Sequence, residues 1–288
     1  MPRYNLAAMA RRQRNVRRSS VTIRDIEPPA TFATDLYRSC YMPVVNAWAN
    51  ALPRINAAYE RSLSELTQDS PADVRAEIDG AAEAINRLIL ILTPQVRDWA
   101  LRVEKFVRTR WRGAILSAVG VDLDVVMGPE DARETLETVL ERNVALIRDV
   151  SAQAQGRISD AVFRGLSERR PARDVAKDIR AVVDMGRDRS IRIASHQLSA
   201  LSSDLARERR RDAGLEVFAW HHSRKLHPRT EHQRRDGNLY TENPALVGKK
   251  VDGRTVLAAP QASDRAGIPP YCGCRERAVL VFAFDGED

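Results

Sequence analysis

Two long apolar stripes at helical spacing constrain the fold of this chain more than any other feature of its sequence. In the first stripe, apolar residues recur every three or four positions from Val74 to Ile115. In the second they recur from Leu136 to Leu166. This spacing places the apolar side chains on one face of a helix. Two long helices with facing stripes predict an antiparallel hairpin or a coiled-coil-like bundle.

Start and stop signals set the expected bounds of these and the neighbouring helices. Ser70 is a suitable N-cap, and Pro71 suits the first position of a helix that extends to Val119. We expect Pro94 to kink this helix, because proline removes a backbone donor. For the same reason, prolines at 43 and 53 predict two or three short helices between residues 31 and 66.

The second stripe is followed by two more predicted helices. Pro171 opens the first of them, and Gly186 stands where a C-cap glycine is expected. The second helix is predicted from Arg187 to Asp212 and ends before Gly214.

After Gly214 the apolar pattern changes from helical spacing to alternation. The segments LEVFAW, residues 215–220, and ERAVLVFAF, residues 276–284, are typical of strands, and turn signals separate them. The sequence therefore predicts a mainly α protein with a small, turn-rich C-terminal α+β module. We expect three segments: a basic N-terminal arm at 1–30, a helical domain at 31–185 and the α+β module at 186–288.

Charge and composition narrow the classes of partner. The 46 Lys and Arg residues exceed the 39 Asp and Glu residues, which gives a net charge of +7. A basic excess favours nucleic acid, an anionic membrane surface or an acidic protein as partner. No apolar run is long enough to cross a bilayer, and the three cysteines suit a reducing cytoplasm better than a disulfide framework. We expect a soluble protein.

Two groups of arginines are candidates for contact with nucleic acid phosphates. One lies in the N-terminal arm and one at the C-terminal end of the last long helix; they are Arg11, Arg12, Arg14, Arg17 and Arg18, and Arg209, Arg210 and Arg211. Such arginines would bind DNA without sequence specificity. The alternatives are a solvated tail and a solvated helix end, where cations are also favoured by the helix dipole.

The C-terminal module gathers most of the side chains that bind soft metals. His232, Cys272 and Cys274 supply three of the ligands that zinc prefers, and His222 is the candidate for the fourth, with His227 and His221 as alternatives. One structural zinc ion would tie distant turns of a small module together. The alternative is that the cysteines are small buried residues and that His232 caps a turn by hydrogen bonding.

The last hundred residues or so resemble the phage head morphogenesis family, typified by the Mu F minor head protein and also called the MuF domain. The resemblance is carried by a helix, a strand that ends in Trp, an Arg-x-x-His turn, Asp-Gly and a Cys-x-Cys element before a last strand. The matching positions are Arg192, Gln197, Ala213, Gly214, Trp220, Arg229, His232, Asp236, Gly237, Pro269, Pro270, Cys272, Cys274 and Arg275. In two places the chain departs from the family pattern: Lys225 or its neighbours stand where many members have Asp, and Cys-Gly-Cys replaces Cys-Arg-Cys.

The resemblance implies a minor capsid protein that acts in head morphogenesis inside the virion, near the portal, after assembly in the host cytoplasm. Its expected partners are the portal protein, capsid subunits and packaged DNA, with no membrane and no small-molecule substrate. Trp220, Arg229, Asp236 and Gly237 would be structural. The alternative is a DNA-binding protein or nuclease of genome packaging. We assign no catalytic residue and expect no enzyme, because the sequence lacks a His-Asn-His arrangement, a carboxylate cluster for Mg²⁺ and a phosphate-binding glycine loop.

Overall fold

The computed structural model describes residues 2–13, 18–65, 70–124, 126–225 and 229–286. The chain forms two compact units. The first consists of Met1–Pro29, Leu101–Leu136 and His196–Asp288, and the second of Ala30–Ala100 and Glu137–Ser195. Long helices with a small strand-rich C-terminal part confirm the predicted fold class.

The second unit is built from helices. α2 (Thr31–Leu36) continues through a π-helical turn (Tyr37–Tyr41) into α3 (Met42–Glu65). Parts of three longer helices complete the unit: α4 (Ser70–Val119), α5 (Arg133–Ser167) and α6 (Ala172–Asp212). Hydrogen bonds join its helices in the interior: Trp48 Nε1 donates to Ser151 Oγ at 3.1 Å, and Trp99 Nε1 donates to the Phe32 carbonyl at 2.8 Å.

Both predicted long helices are present. α4 begins at Ser70, ends at Val119 and spans 50 residues, with Pro94 inside it. The first stripe is buried at Val74, Ile78 and Val96, and the second at Ile147 and Ile158. The apolar period of each stripe therefore marks the buried face correctly.

Two predicted helix boundaries are wrong. α6 passes through Gly186 without a break, and α3 passes through Pro53. A helical glycine costs only about 1 kcal/mol relative to alanine, so the flanking apolar residues that pack in the unit outweigh it. Within α6, the Gly186 carbonyl also accepts a hydrogen bond from Ser190 Oγ at 2.7 Å. Pro53 lies within the 24 residues of α3, where burial of neighbours such as Leu52 and Ile55 stabilises the helix.

The first unit contains a six-stranded sheet with the order β1-β6-β2-β3-β5-β4. The strands are β1 (Ser20–Thr22), β2 (Val217–His221), β3 (Leu239–Thr241), β4 (Lys250–Val251), β5 (Arg254–Ala258) and β6 (Arg275–Val281). β3 and β5 pair in parallel, and the other pairs are antiparallel. β2 and β6 confirm the two strands that alternation predicts. The short helix α7 (Thr230–Arg234) lies between β2 and β3 in sequence.

Side chains alternate between the two faces of β2, and each face packs into a different cluster. Val217 and Ala219 join one apolar cluster with Leu239. Phe218 and Trp220 join another, whose members also include Tyr240, Ala266, Cys272 and Cys274. The cysteines therefore lie on the Trp220 face of the sheet.

The N-terminal segment is part of the first unit, which corrects the prediction of a free basic arm. Its helix α1 (Leu6–Gln13) buries Leu6 and Ala10, and Ile23 is fully buried. β1 pairs with β6, so main-chain hydrogen bonds also hold this segment. Few residues of this segment are apolar, but three of the described ones, Leu6, Ala10 and Ile23, are buried. The high arginine content of the segment did not indicate this burial. The predicted boundary at 185 also differs from the one observed, which lies at 195.

Among the described residues, no helix is both long and apolar enough to cross a membrane.

The close approach of α5 to its neighbours in the second unit requires Gly165. A Cβ there would lie 2.6 Å from Val175 Cγ2 and 2.9 Å from Tyr59 Oη, whereas a Cβ at Gly156 of the same helix meets nothing within 4 Å. We expect Gly165→Ala to lower the free energy of unfolding by about 1–3 kcal/mol. The matched control Gly156→Ala should raise it by about 0.5–1 kcal/mol, because alanine is the better helix former. Urea denaturation followed by circular dichroism measures both, and equal effects would contradict the packing described.

Candidate functional site

His232, Cys272 and Cys274 come together in the first unit and are all buried. His232 lies on α7, and the two cysteines lie in the loop before β6. One ligand atom from each residue lies within 4.8 Å of the others. The fold thus brings together three potential metal ligands separated by 40 and 42 positions in sequence.

The cysteine loop is held in a tight conformation by its own backbone and by two cationic side chains. Tyr271 and Gly273 both have positive φ, at 61° and 68°. The N–H of Cys274 points at the sulfur of Cys272, with a distance of 3.4 Å. From outside the loop, Lys225 Nζ donates to the Tyr271 carbonyl at 2.9 Å, and Arg229 donates to the Pro270 carbonyl at 3.1 Å. The N–H groups of Cys274 and Gly267 thus donate to the sulfur of Cys272, which favours its thiolate form.

Hydrogen bonds fix the His232 ring so that one nitrogen faces the sulfurs. Its Nε2 lies 2.9 Å from Asp264 Oδ1, and a carboxylate at this position accepts an N–H. Nδ1 is then the nitrogen that faces the sulfurs, and it lies 3.2 Å from Cys272 Sγ and 3.8 Å from Cys274 Sγ. The Trp220 ring packs against His232 edge to face, with 5.0 Å between the ring centres. Histidine ligands of metals are commonly oriented by a carboxylate in this way.

The electrostatics of the group favour one thiolate. A hydrogen bond from Cys274, with help from the N–H groups of Gly267 and Cys274, lowers the pKa of Cys272 to about 5 against the opposing effect of burial. The same hydrogen bond and burial raise the pKa of the Cys274 thiol. Burial alone would raise the pKa of Asp264, but hydrogen bonds from His232 and Arg235 outweigh it and hold that pKa below its ordinary value.

The geometry of the three ligand atoms suits a tetrahedral ion. Zinc bonds of about 2.3 Å to sulfur and about 2.0–2.1 Å to nitrogen place two sulfurs about 3.8 Å apart and nitrogen and sulfur about 3.6 Å apart. The observed nitrogen-to-sulfur distances of 3.2 and 3.8 Å bracket that value. The group can therefore hold a metal ion with three protein ligands.

The predicted fourth ligand, His222, lies elsewhere. Its Nδ1 accepts a hydrogen bond from the backbone N–H of Arg224 at 3.1 Å, and the backbone N–H of His222 donates to Asp236 Oδ1 at 2.9 Å. Within the described ranges, the metal-ligand group contains only His232, Cys272 and Cys274. The alternative His221 is bound to Asp25, and His227 lies outside the described residues.

The four residues predicted to be structural all lie in or beside this site. Trp220 contacts His232, and Arg229 bonds the cysteine loop. Asp236 accepts the His222 N–H, and Gly237, with a φ of 79°, donates its N–H to the Trp220 carbonyl at 2.9 Å. They connect the end of β2 to α7 and to the loop that carries the cysteines.

Two of the three arginines predicted to bind DNA at the end of α6 are buried in ion pairs, which corrects that prediction. Arg209 is 1% exposed and bonds Glu104 at 2.7 Å. Arg210 is 4% exposed in its side chain and pairs with Glu242 and Glu276 at 3.3 and 3.1 Å. Its guanidinium also lies 4.3 Å from the centre of the Phe218 ring. The cluster is therefore largely a buried electrostatic junction between α6 and the rest of the first unit.

The remaining predicted DNA contacts are exposed or undescribed. Arg12, Arg18 and Arg211 are exposed, as is Arg11, although a guanidinium N–H of Arg11 donates to the Phe282 carbonyl. Arg14 and Arg17 lie outside the described residues. Contact of the exposed arginines with DNA therefore stays a prediction.

Sequence reasoning missed Asp264 and Asp25. Asp264, which orients His232, stands in a short 3₁₀ turn (Ala262–Asp264) with no local pattern that marks it. Asp25 accepts hydrogen bonds from His221, Arg275 and Arg277 at 2.9, 2.6 and 3.0 Å. Burial opposes its ionisation, but these three partners lower the pKa of Asp25 to about 2. Its partners are roughly two hundred or more positions away, so no spacing in the sequence reveals them.

Comparisons of this chain with protein-family models, with curated proteins and with solved structures found no match.

The burial of Arg209 predicts that its loss destabilises the protein. Truncation of one partner of a buried ion pair leaves an uncompensated charge at a cost of about 3–5 kcal/mol. We therefore expect Arg209→Ala to lower the free energy of unfolding by about 3 kcal/mol. The matched change Arg211→Ala, two positions along and exposed, should stay within about 0.5 kcal/mol. Chemical denaturation checks both, and similar values for the two variants would contradict the assignment.

Proposed function

We propose that the C-terminal module binds one structural zinc ion through His232 Nδ1, Cys272 Sγ and Cys274 Sγ. One observation carries this proposal: three buried ligand atoms converge, and Asp264 already orients the histidine. Two sulfurs and one imidazole favour zinc over harder cations such as Mg²⁺ or Ca²⁺. When bound, the ion would supply a cross-link between α7 and the loop before β6.

Burial supports a structural role for this ion. The side chain of His232 is 3% exposed, and Cys272 and Cys274 are 6% and 2% exposed. A catalytic zinc ion keeps a position open to water and substrate, whereas a structural one is closed.

We further propose that the protein is a bacteriophage minor head protein that acts in head morphogenesis, docks on portal or inner capsid subunits and contacts packaged DNA inside the virion. Support comes from the residues that carry the resemblance to the MuF domain. Five of these residues surround one site, although the first and the last, Trp220 and Cys274, are 54 positions apart in sequence. They are Trp220, Arg229, His232, Cys272 and Cys274. Residues of the motif that lie far apart in sequence therefore meet in one part of the fold.

The alternative is a DNA-binding protein or nuclease of genome packaging. If His232→Ala and Arg229→Ala fold but lose DNA cleavage, the alternative is correct. If the same variants only unfold the C-terminal module, the structural proposal stands.

Metal analysis tests the zinc proposal. We expect close to one zinc per full chain purified without chelator, and less than about 0.2 in Cys272→Ser/Cys274→Ser, because two thiolates are lost. The full chain is the appropriate sample, because residues 1–29 and 101–136 belong to the same compact unit as the site. The matched control is Cys40→Ala, which removes a buried thiol of the second unit and should retain the metal. A parent protein without metal would contradict the proposal.

Quantitative mass spectrometry of purified phage particles tests the assignment to the head. We expect this chain at a small fraction of the copies of the major capsid protein. Its absence from mature particles would contradict the proposal and would favour the packaging alternative.

A further inference from the structure

An open groove of about 740 Å³ lies at one end of the sheet in the first unit. Strand directions explain its position. β1 and β2 end there, at Thr22 and His221, and the antiparallel β6 begins there at Arg275. β5 also begins at this end, with Arg254, because it runs parallel to β3. The groove therefore collects side chains from the ends of four strands and from the loop after β2.

The lining of the groove is rich in cationic and imidazole groups. Residues from both strands and loops contribute, and those that bear on binding are Arg224, Arg254, Arg275, Arg277, His221 and His222. Asp236 is the acidic side chain of the lining, and its Oδ1 accepts the backbone N–H of His222. Asp25 and Glu27 pair with Arg275 at 2.6 and 2.9 Å and reduce the excess of positive charge.

Two of the arginines are held in fixed positions before any ligand binds. Arg275 Nε and Arg277 Nε bond the two oxygens of Asp25, at 2.6 and 3.0 Å. The paired residues His221 and Arg275 stand opposite each other on β2 and β6. Each guanidinium carries five N–H donors, so donors remain for a further acceptor. Their side chains are 23% and 38% exposed.

Arg224 and Arg254 are more exposed than this fixed pair. Arg224 has a positive φ of 52° in the loop after β2, and Arg254 donates to the Gly237 carbonyl at 3.4 Å. Both side chains are exposed at the groove. They can contact a ligand without loss of a buried ion pair.

Another large cavity of this unit, beside the end of α6, has the opposite charge. Four acidic residues line this cavity, and only two arginines do. The acidic residues are Glu208, Asp212, Glu216 and Glu242, and the arginines are Arg210 and Arg211. A polyanion is repelled there. Charge as well as shape therefore favours the groove at the sheet end as the site for a polyanion.

We propose that this groove binds the phosphate backbone of a nucleic acid strand. The proposal rests on the proposed function for the source of that strand, packaged DNA, and it names the surface that contacts it. Guanidinium groups match phosphate oxygens in geometry and keep their charge at all physiological pH values.

The spacing of the arginines favours a polymer over a single phosphate ion. β6 and β5 are separated by three strand-to-strand steps, through β2 and β3. At about 4.8 Å per step, the two ends of the groove are about 14 Å apart. One phosphate ion cannot bridge that distance, whereas successive phosphates of a strand can occupy both ends.

The state of His221 fits binding rather than cleavage. Arg277 Nη2 lies 3.0 Å from His221 Nε2, and a guanidinium only donates, so Nε2 is the acceptor and Nδ1 carries the proton donated to Asp25. The lone pair that a general base would use is thus already occupied by an arginine.

Fluorescence anisotropy with a labelled DNA strand of about 20 nucleotides tests the proposal. The test variant is Arg224→Glu/Arg254→Glu, which spares the Asp25 ion pairs. We expect its affinity to fall at least about tenfold at about 50 mM salt, and the slope of log affinity against log salt to decrease by about 2, one for each lost contact. Inorganic phosphate at the same ionic strength should compete poorly.

The control is Arg97→Glu/Arg180→Glu, which makes the same charge change at exposed arginines outside the groove lining and outside the two arginine groups predicted to contact DNA. Circular dichroism verifies that both variants fold. Retained affinity in the control, with loss in the groove variant, supports the groove. Equal loss in both, loss in the control alone, or a parent chain that binds no DNA overturns it. None of these results changes whether the chain is present in phage particles, so failure of the groove and failure of the proposed function are separate outcomes.

Discussion

The hydrogen bond from His232 to Asp264 is the contact on which the account of the C-terminal module depends. It fixes the imidazole so that Nδ1 faces the sulfurs of Cys272 and Cys274, and it joins α7 to the turn that carries Asp264. The module has short strands and few large apolar side chains on this face. A metal cross-link would add stability that so small a core supplies poorly.

The metal-ligand group and the groove lie at different places on the sheet. Phe218 and Trp220 point to the face that holds the cysteines, while His221 and Arg275 stand at the end of the sheet where the basic groove lies. Because alternate residues of a strand point in opposite directions, a single short strand contributes to both sites. The buried ion pairs of Arg209 and Arg210 hold the C-terminal end of α6 against other elements of the first unit, and they make both arginines inaccessible to an external ligand.

Much of the helical architecture could be predicted from the sequence, because a long apolar stripe has few alternatives to a buried helix face. The observed ends of α4, Ser70 and Val119, agree with the predicted ones. In contrast, α6 continues through Gly186 and α3 through Pro53, because tertiary packing outweighs these local helix breakers. Residue types predicted the cysteines and His232 as a group. The sequence could not reveal Asp264, the pairing of β1 with β6 or the burial of Arg209, since each depends on long-range contacts that leave no local pattern.

Zinc K-edge X-ray absorption of the purified full chain tests the central claim most directly, because it reports which atoms surround the ion. We expect a four-coordinate zinc with two sulfur neighbours at about 2.3 Å and nitrogen or oxygen at about 2.0–2.1 Å. A shell of light atoms alone, or no zinc signal at all, would contradict it.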